Sequence, residues 1–447
     1  MTQRHDNQTG TTAEREVARR QLLLRALRSR NYRLFYIGQG VSLVGTWMQQ
    51  VAMSWLVYRL TGSAFLLGVV GFVGQIPTFL LAPLAGVLAD RWNRRRLLLC
   101  SQSLAMLQAV TLSYFVLTGT IQVWQLIVLS ALLGIVNAFD MPVRQSFVVD
   151  LVDNKQDLGN AIALNSSMFN GARLIGPSVA GLLIAAFGEG VCFALNAASY
   201  LAVIVAMASM RLTPKESRGG GQHILSELRA GVAYAFAFTS IRSILLLLGL
   251  TSLMGMPYTV LLPVFARDVL HGGAHTYGFL MAAVGVGSFA STLFLASRRS
   301  VLGLGRVISA AAGIFGIGIA AFALSLTLPV SLLCLGLAGS GAMALSAASN
   351  TILQTIVDDA MRGRVMSFFT MAFMGTTPVG SLLAGTAAGR IGAPHTLLLG
   401  GVACLVGGVL FARRLPLLRH EVRPIYRRLG IIPGGAMAAE PAIPSKE

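Results

Sequence analysis

Long apolar runs, joined by short polar connections, follow one another along most of the chain. A helix needs about 20 apolar residues to cross about 30 Å of hydrocarbon. A transmembrane barrel would instead show alternating apolar and polar residues. The pattern therefore predicts twelve spanning helices, near 34–58, 64–89, 97–118, 122–146, 160–187, 191–211, 241–267, 275–297, 304–326, 329–355, 364–390 and 394–412.

The composition rules out disorder as the dominant state and argues against a soluble enzyme. Of the 447 residues, 55% are hydrophobic and only 12% are charged. Soluble domains carry about 25% charged residues, and disordered chains need low hydrophobicity. The expected fold class is an all-α polytopic membrane protein.

The distribution of positive charge predicts the topology. The chain has 35 Lys and Arg against 17 Asp and Glu, a net charge of +18. Only Arg59, Arg267 and Arg390 fall in the connections on one side, Arg173 falls within a span, and the rest lie on the other side. Because basic residues collect in cytoplasmic segments, we expect both termini in the cytoplasm and no binding of nucleic acid.

The chain contains two similar halves. Gly45 matches Gly255, and Gly68 matches Gly278, both at an offset of 210. Such a parallel repeat is typical of secondary transporters, whose substrate site lies near the midplane between the halves. The expected parts are a basic cytoplasmic N-tail, two six-helix halves separated by a cytoplasmic linker, and a partly disordered cytoplasmic C-tail: 1–33, 34–211, 212–240, 241–414 and 415–447.

The sharpest local signal lies between the second and third spans. The segment from Gly86 to Arg96 reads GVLADRWNRRR and resembles motif A of the major facilitator superfamily, with Asn93 where the family usually has Gly. Asn tolerates a left-handed backbone, so we expect the tight turn to persist. The residues expected to form a charged clasp that favours one conformation are Gly86, Asp90, Arg91, Arg94 and Arg95. The alternative is an ordinary basic loop.

The fifth span resembles the antiporter motif, or motif C, of drug-exporting members of that superfamily. The resemblance rests on Gly171, Gly176, Pro177 and Gly181. Small residues allow close helix contact, and proline removes one backbone hydrogen bond and permits a kink. Tight packing alone is the alternative, and both interpretations can hold together.

The spans contain few charged side chains, which cost roughly 2.5–3.5 kcal/mol each at a helix centre. Asn137, Asp140 and Arg144 fall on one face of span four, and Arg173 lies in span five. We expect these four residues to form a coupling cluster that lines the cytoplasmic half of the cavity. A static buried pair that locks the two spans together is the alternative.

Polar side chains also recur at helical spacing on spans one, seven and ten. Within a membrane such a stripe must face protein or water, so these positions either line a cavity or bond between helices. The cavity candidates are Gln39, Ser42, Thr46, Gln50, Ser54, Thr251, Tyr258, Asn350 and Gln354.

The resemblance to the superfamily covers about residues 30–412 and extends to the bacterial exporter branch with enterobactin and macrolide exporters. It implies an inner-membrane, proton-coupled exporter of a small, largely apolar molecule of the drug or siderophore class, working by alternating access. One departure concerns proton coupling, because Ser130 precedes Gly134 by four residues where drug antiporters often have Arg. We expect a monomer whose partners are the substrate, protons and membrane lipid.

Two other functions remain open at this point. One is a facilitator that moves lipid or imports a metabolite. The other is a multispan membrane enzyme, which would need a constellation of His or acidic residues at one membrane face. The four cysteines lie far apart and no metal, nucleotide or hydrolase motif occurs, so we expect no cofactor and no enzymatic activity.

Overall fold

A computed structural model describes residues 25–152, 154–210, 234–298 and 300–432, without the side chains at 82–91, 155, 359 and 360. The first part of the N-tail, most of the predicted linker and the end of the C-tail lie outside these residues. Their predicted cytoplasmic location therefore stays a prediction.

Twelve helices make up nearly all of the described chain, and no strand occurs in it. The first six are α1 (Arg30–Thr61), α2 (Ala64–Arg91), α3 (Arg94–Leu117), α4 (Val123–Asp150), α5 (Leu158–Phe187) and α6 (Glu189–Ala208). The second six are α7 (Thr239–Leu250 and Tyr258–Val264), α8 (Ala274–Ser297), α9 (Leu304–Ala323), α10 (Leu328–Ile356), α11 (Asp359–Thr370 and Thr377–Ile391) and α12 (Ala393–Arg428). The predicted all-α fold is confirmed.

Eleven helices among the described residues are long and apolar enough to cross a membrane. The twelfth, α1, is 32 residues long, but its polar stripe lowers its hydropathy. Such a helix is acceptable within a membrane because its polar side chains face other helices or a cavity rather than lipid.

Each set of six helices forms a bundle, and the two bundles meet along two helix pairs. Helix α2 packs against α11, and α5 packs against α8. Successive helices alternate in direction. The start of α1, the end of α6, the start of α7 and the end of α12 therefore all lie at the same end of the molecule. We call this the linker end and the opposite end the far end. The largest buried apolar cluster lies at the far end and includes residues of both halves, such as Trp55 and Tyr277.

Three π-helical turns interrupt α7 and α11, which the sequence pattern did not predict: Thr251–Gly255, Phe265–Val269 and Met371–Gly375. Each lies within three residues of a proline, namely Pro257, Pro263 or Pro378. Proline supplies no backbone N–H, so the hydrogen-bond register shifts close to it. These turns place irregular backbone in α7 and α11, both of which contact helices of the first half.

Helix α12 continues to Arg428, well beyond the predicted end near 412. Its extension has a buried stripe that includes Leu418 and Val422 and packs in the core of the second half. The Glu421 carboxylate accepts hydrogen bonds from the backbone N–H groups of Thr239 and Ser240 at 2.9 and 2.7 Å. A carboxylate at a helix N-terminus is favourable, and the contact fastens the extension to the start of α7.

Candidate functional site

The two halves approach each other most closely at two glycine crossings near the far end. A Cβ atom on Gly278 of α8 would lie 2.8 Å from the Cα of Gly181 on α5. In the other crossing, a Cβ on Gly385 of α11 would lie 2.8 Å from the Cα of Gly68 on α2. Gly68 and Gly278 are the repeat-related pair found in the sequence, so the crossings are equivalent by the internal symmetry. They bring the backbones of the two halves into direct contact.

Polar and aromatic contacts also join the halves at the far end. The Tyr58 hydroxyl of α1 donates a hydrogen bond to the Asp268 carboxylate of the second half. Trp55 stacks on Tyr277 with ring centroids 6.3 Å apart, and the Arg267 guanidinium lies 5.9 Å from the centre of the Tyr58 ring. This group is the far-end closure. Nothing in the sequence pattern pointed to the bond between Tyr58 and Asp268, because the two residues are 210 positions apart.

Nearer the middle of the bundle, Arg173 lies against an aromatic side chain. Its guanidinium is 5.8 Å from the centre of the Trp47 ring, and Phe169 packs edge-on against the same indole at 5.9 Å. Tyr258 is fully buried, and its hydroxyl has no hydrogen-bond partner among the described residues. Its ring packs edge-on against Phe315 at 6.2 Å, so this sequence candidate lies in the core and does not face an open cavity.

Asp140 and Arg144 lie together, as the sequence predicted, but within one half. Asp140 is buried and its carboxylate lies 3.5 Å from Arg144 Nε. It also accepts hydrogen bonds from Ser101 Oγ at 2.9 Å and Gln102 Nε2 at 2.7 Å, both on α3. The carboxylate therefore ties α4 to α3 and not to α5, whereas Arg173 contacts Trp47. Asn137 is half-buried on α4.

A second buried polar network, which the sequence did not single out, joins α1, α3 and α6. Gln49 donates from its amide to Gln108 Oε1 at 2.9 Å and accepts from Asn196 Nδ2 at 2.7 Å. Gln108 in turn donates to the carbonyl of Leu129. Every member is buried, so the network holds the first half together rather than meeting substrate.

The predicted polar stripe on α1 is only partly open. Gln39 and Ser42 are buried, while Gln50 is exposed. Thr46 is half-buried and donates to the backbone carbonyl of Ser42 at 2.9 Å. Ser54 is half-buried. Among these five, Gln50 is the residue placed to meet a solute.

The candidates on the second half divide in the same way. Thr251 is buried and donates to a carbonyl of its own helix, that of Leu247, at 2.9 Å. Gln354 is exposed, and its amide donates to Asn350 Oδ1 at 2.8 Å. The Asn350–Gln354 pair presents amide groups on the surface of α10, whereas the hydroxyl of the buried Thr251 is not presented to a solute.

The structure describes the side chains of motif A only from residue 92 onward. The side chains of Gly86, Asp90 and Arg91 lie outside the described set, so the clasp stays a prediction. Arg94 pairs with Asp150 at the end of α4, at 2.8 Å, and Arg95 donates to the carbonyl of Ala208 at the end of α6. Both contacts are within the first half.

Asn93 does not adopt the left-handed backbone that its place in motif A suggested. It has φ −64° and ψ 110°, and its side chain accepts from the backbone N–H of Arg96 at 3.2 Å. The residue is therefore the N-cap of α3, a position where Asn is among the best residues. This capping function explains how the motif keeps its turn without Gly.

The glycines of the motif-C segment have different surroundings. A Cβ on Gly176 would lie 2.6 Å from Trp47 Cβ, so this glycine lets α5 approach α1. Gly181 faces α8, and the carbonyl of the buried Pro177 lies at the same crossing. A Cβ on Gly171 would meet no neighbouring helix of the described chain within 4 Å. Helix α5 thus packs closely on both α1 and the opposite half.

Comparisons with known proteins agree with this architecture. A family model described as transmembrane secretion effector matches residues 23–425. The staphyloferrin A transporter of Staphylococcus aureus is 26% identical over 379 residues, which cover 84% of this chain and 94% of the relative. The multidrug efflux pump Tap of Mycolicibacterium fortuitum is 25% identical, with 86% and 93% covered, and macrolide efflux protein A of Streptococcus pyogenes is 24% identical, with 82% and 91% covered.

Solved structures share the fold. A POT family transporter in complex with 5-aminolevulinic acid superposes with a TM-score of 0.69 at 11% identity, covering 87% of this chain and 97% of that one. A bacterial homologue of the iron transporter ferroportin, in an inward-facing state, gives 0.64 at 18% identity, with 86% and 98% covered. With the family match over most of its length, the chain belongs to the transmembrane secretion effector family of the major facilitator superfamily and is a multi-pass membrane transporter, not an enzyme.

Proposed function

We propose that this transporter exports a small, largely apolar molecule across the bacterial inner membrane by alternating access, driven by the proton gradient. Both termini and the linker lie in the cytoplasm in this proposal, so the linker end faces inward. The protein acts as a monomer, because each half finds its partner within the same chain.

The observation that carries the proposal is the direct contact between the two halves at the far end. There the halves are joined by the two glycine crossings and by Tyr58 and Asp268, so the far end is closed in this structure. Closure at one end of the interface is one of the two states that alternating access requires.

The substrate class follows from the chemistry near the middle of the bundle and from the relatives. Trp47 and Phe169 offer aromatic surface, while Gln50 and Gln354 offer exposed amides. Pockets of this kind take largely apolar molecules and orient them with few polar contacts. The relatives are named for export of macrolides and multiple drugs and for transport of a siderophore, and the drug or siderophore class is proposed for this chain.

Two carboxylates, those of Asp140 and Asp268, are candidates for the residue that couples transport to the proton gradient. Asp140 is buried within the first half, and its bonds to Ser101 and Gln102 do not cross to the second half. Asp268 lies in the far-end closure and loses its Tyr58 partner if the halves separate there. We retain Asp140, with Arg144 as its neighbouring cation, as the proposed coupling residue, and Asp268 is the alternative to test beside it.

A growth-inhibition panel tests the direction and class of transport. A deletion strain, a strain carrying this protein and a strain carrying Asp140→Asn are compared on macrolides, cationic dyes and iron-chelating compounds. The proposal expects higher resistance with the parent protein for at least one compound and accumulation of that compound in the deletion strain. Lower resistance with the parent protein, together with uptake in energised cells, would indicate import and overturn it.

A further inference from the structure

A groove runs along the outer surface of the second half, between α9 and α12. It has a volume of about 360 Å³ and is lined by Ser309, Gly313, Leu405, Gly408, Val409, Ala412 and Arg413. The contacts between halves are made by other helices, α2 with α11 and α5 with α8, so this groove faces the membrane and not the central cavity. Exposed apolar neighbours such as Ile317 and Leu410 border it.

The groove is a permanent feature of how the two helices pack. Ser309 Oγ donates to the Gly408 carbonyl at 3.1 Å, which fixes α9 against α12. A Cβ atom added to Gly313 would have one described neighbour within 4 Å, the Cδ1 of Leu405 at 4.0 Å. The missing side chain at Gly313 thus leaves space beside a close helix contact, and an apolar chain fits such a space.

Two arginines lie at the linker-end mouth of the groove. Arg413 lines it directly, and Arg306 precedes Ser309 by one helical turn on α9. Gly305 lies against Leu415, which places the start of α9 beside the α12 extension. Both arginines are exposed, and neither has an ion pair in the described part of the chain. Two unpaired guanidinium groups at headgroup depth suit a phosphate.

We infer that this groove binds one anionic phospholipid, with its phosphate between Arg306 and Arg413 and an acyl chain along Gly313. The described part of the first half offers no equivalent pair, because α6, which packs against α3 as α12 packs against α9, has no arginine along Glu189–Ala208. The Arg-rich extension of α12, with Arg414 and Arg419 exposed, attracts the same leaflet. The inference concerns the lipid-facing surface and is independent of the direction of transport.

Native mass spectrometry of the purified full-length protein, titrated with phosphatidylglycerol or phosphatidylcholine, tests the inference. The parent protein is expected to retain phosphatidylglycerol preferentially. The double variant Arg306→Gln/Arg413→Gln should bind it about 25-fold more weakly, because each arginine near a membrane surface contributes about fivefold. Gly313→Phe should weaken both lipids, since the ring fills the groove. Leu405→Trp fills it from α12 if Gly313→Phe does not fold.

Two controls separate the site from general attraction. Arg96→Gln removes an exposed arginine at the equivalent start of α3, and Arg427→Gln removes one on the α12 extension away from the groove; both should retain the parent affinity. Glycerophosphoglycerol and inorganic phosphate, which lack acyl chains, should not displace the lipid. An unchanged phosphatidylglycerol affinity in the double variant, an equal loss in the controls, or displacement by the soluble phosphates would each overturn the inference.

Discussion

The far end and the linker end of this transporter are held in different ways. At the far end, backbone meets backbone between the halves, as at Gly181 and Gly278. At the linker end, described charged groups fasten helices of the same half to each other, as where Glu421 caps α7 and Arg94 pairs with Asp150. If the two halves separate at the far end, the close packing between their helices is lost, whereas contacts within one half persist. In the proposed alternating-access cycle, the far end opens and closes while each half moves as a unit.

The largest expected effect comes from a side chain placed in a glycine crossing. Gly385→Leu puts atoms where a Cβ alone would lie 2.7 Å from the Ala64 carbonyl oxygen. Overpacking of this kind costs about 1–3 kcal/mol, so the far-end closed state should become much less populated and resistance should fall. Gly389→Leu, one turn away with no described neighbour within 4 Å of the added Cβ, is the matched control and should behave like the parent.

The populations can be followed with spin labels at positions 120 and 326, in exposed far-end connections of the first and second halves. Cys100 is exposed and is replaced first, while Cys192, Cys334 and Cys404 are buried. The distance between the labels should increase in Gly385→Leu. An unchanged distance would mean that the crossing is not the barrier to far-end opening.

Asp140→Asn is expected to abolish uphill transport while downhill exchange continues, if Asp140 carries the proton. The amide can still accept from Ser101 and Gln102 but no longer balances the Arg144 charge. Transport is measured in vesicles with an imposed pH gradient, with and without an uncoupler. Persistence of uncoupler-sensitive uphill transport would exclude Asp140, and the same assay on Asp268→Asn then tests the alternative.

Tyr58→Phe should have a smaller effect, because it removes one hydrogen bond between the halves and keeps the ring under Arg267. A hydrogen bond contributes about 0.5–1.5 kcal/mol, so the far-end open population should increase roughly two- to tenfold. Tyr114→Phe, an exposed tyrosine of α3, is the control. If Tyr58→Phe and Tyr114→Phe gave equal label distances, the Tyr58 hydroxyl would not contribute to holding the far end closed.

The smallest effect on the far end is expected from Asp90→Asn. The change to Asn removes the charge and keeps the size of the side chain, so expression and the far-end distance should stay close to those of the parent while transport falls. Arg96→Gln serves for comparison, since the exposed Arg96 side chain is available to mutate without touching the Arg94–Asp150 pair. Full transport by Asp90→Asn would mean that motif A is an ordinary basic loop that sets the topology and has no function in transport.

The sequence predicted the helices well because long apolar runs have no other stable form in a membrane. The repeat also placed Gly68 and Gly278 in equivalent positions, which the two crossings confirm. The extension of α12 was missed, because its arginines resemble a tail until Leu418 and Val422 are seen packed against the second half.

The polar site was harder to predict, since periodicity gives a helix face but not its partner. Gln49 and Gln50 are neighbours, yet Gln49 is buried in a network with Gln108 and Asn196 while Gln50 is exposed. Asp140 was singled out because few charged side chains fall within the spans. Its partners Ser101 and Gln102 were not, because only the crossing of α3 and α4 brings them together.

The central claim is that the two ends open in alternation, and distances measured across both ends in one preparation test it most directly. One label pair lies at positions 120 and 326, and a second joins the exposed positions 154 and 363 at the linker end. With a compound selected by the growth panel and an imposed proton gradient, the far-end distance should increase while the linker-end distance decreases. Two distances that change in the same direction, or that stay fixed during measurable transport, would contradict the account.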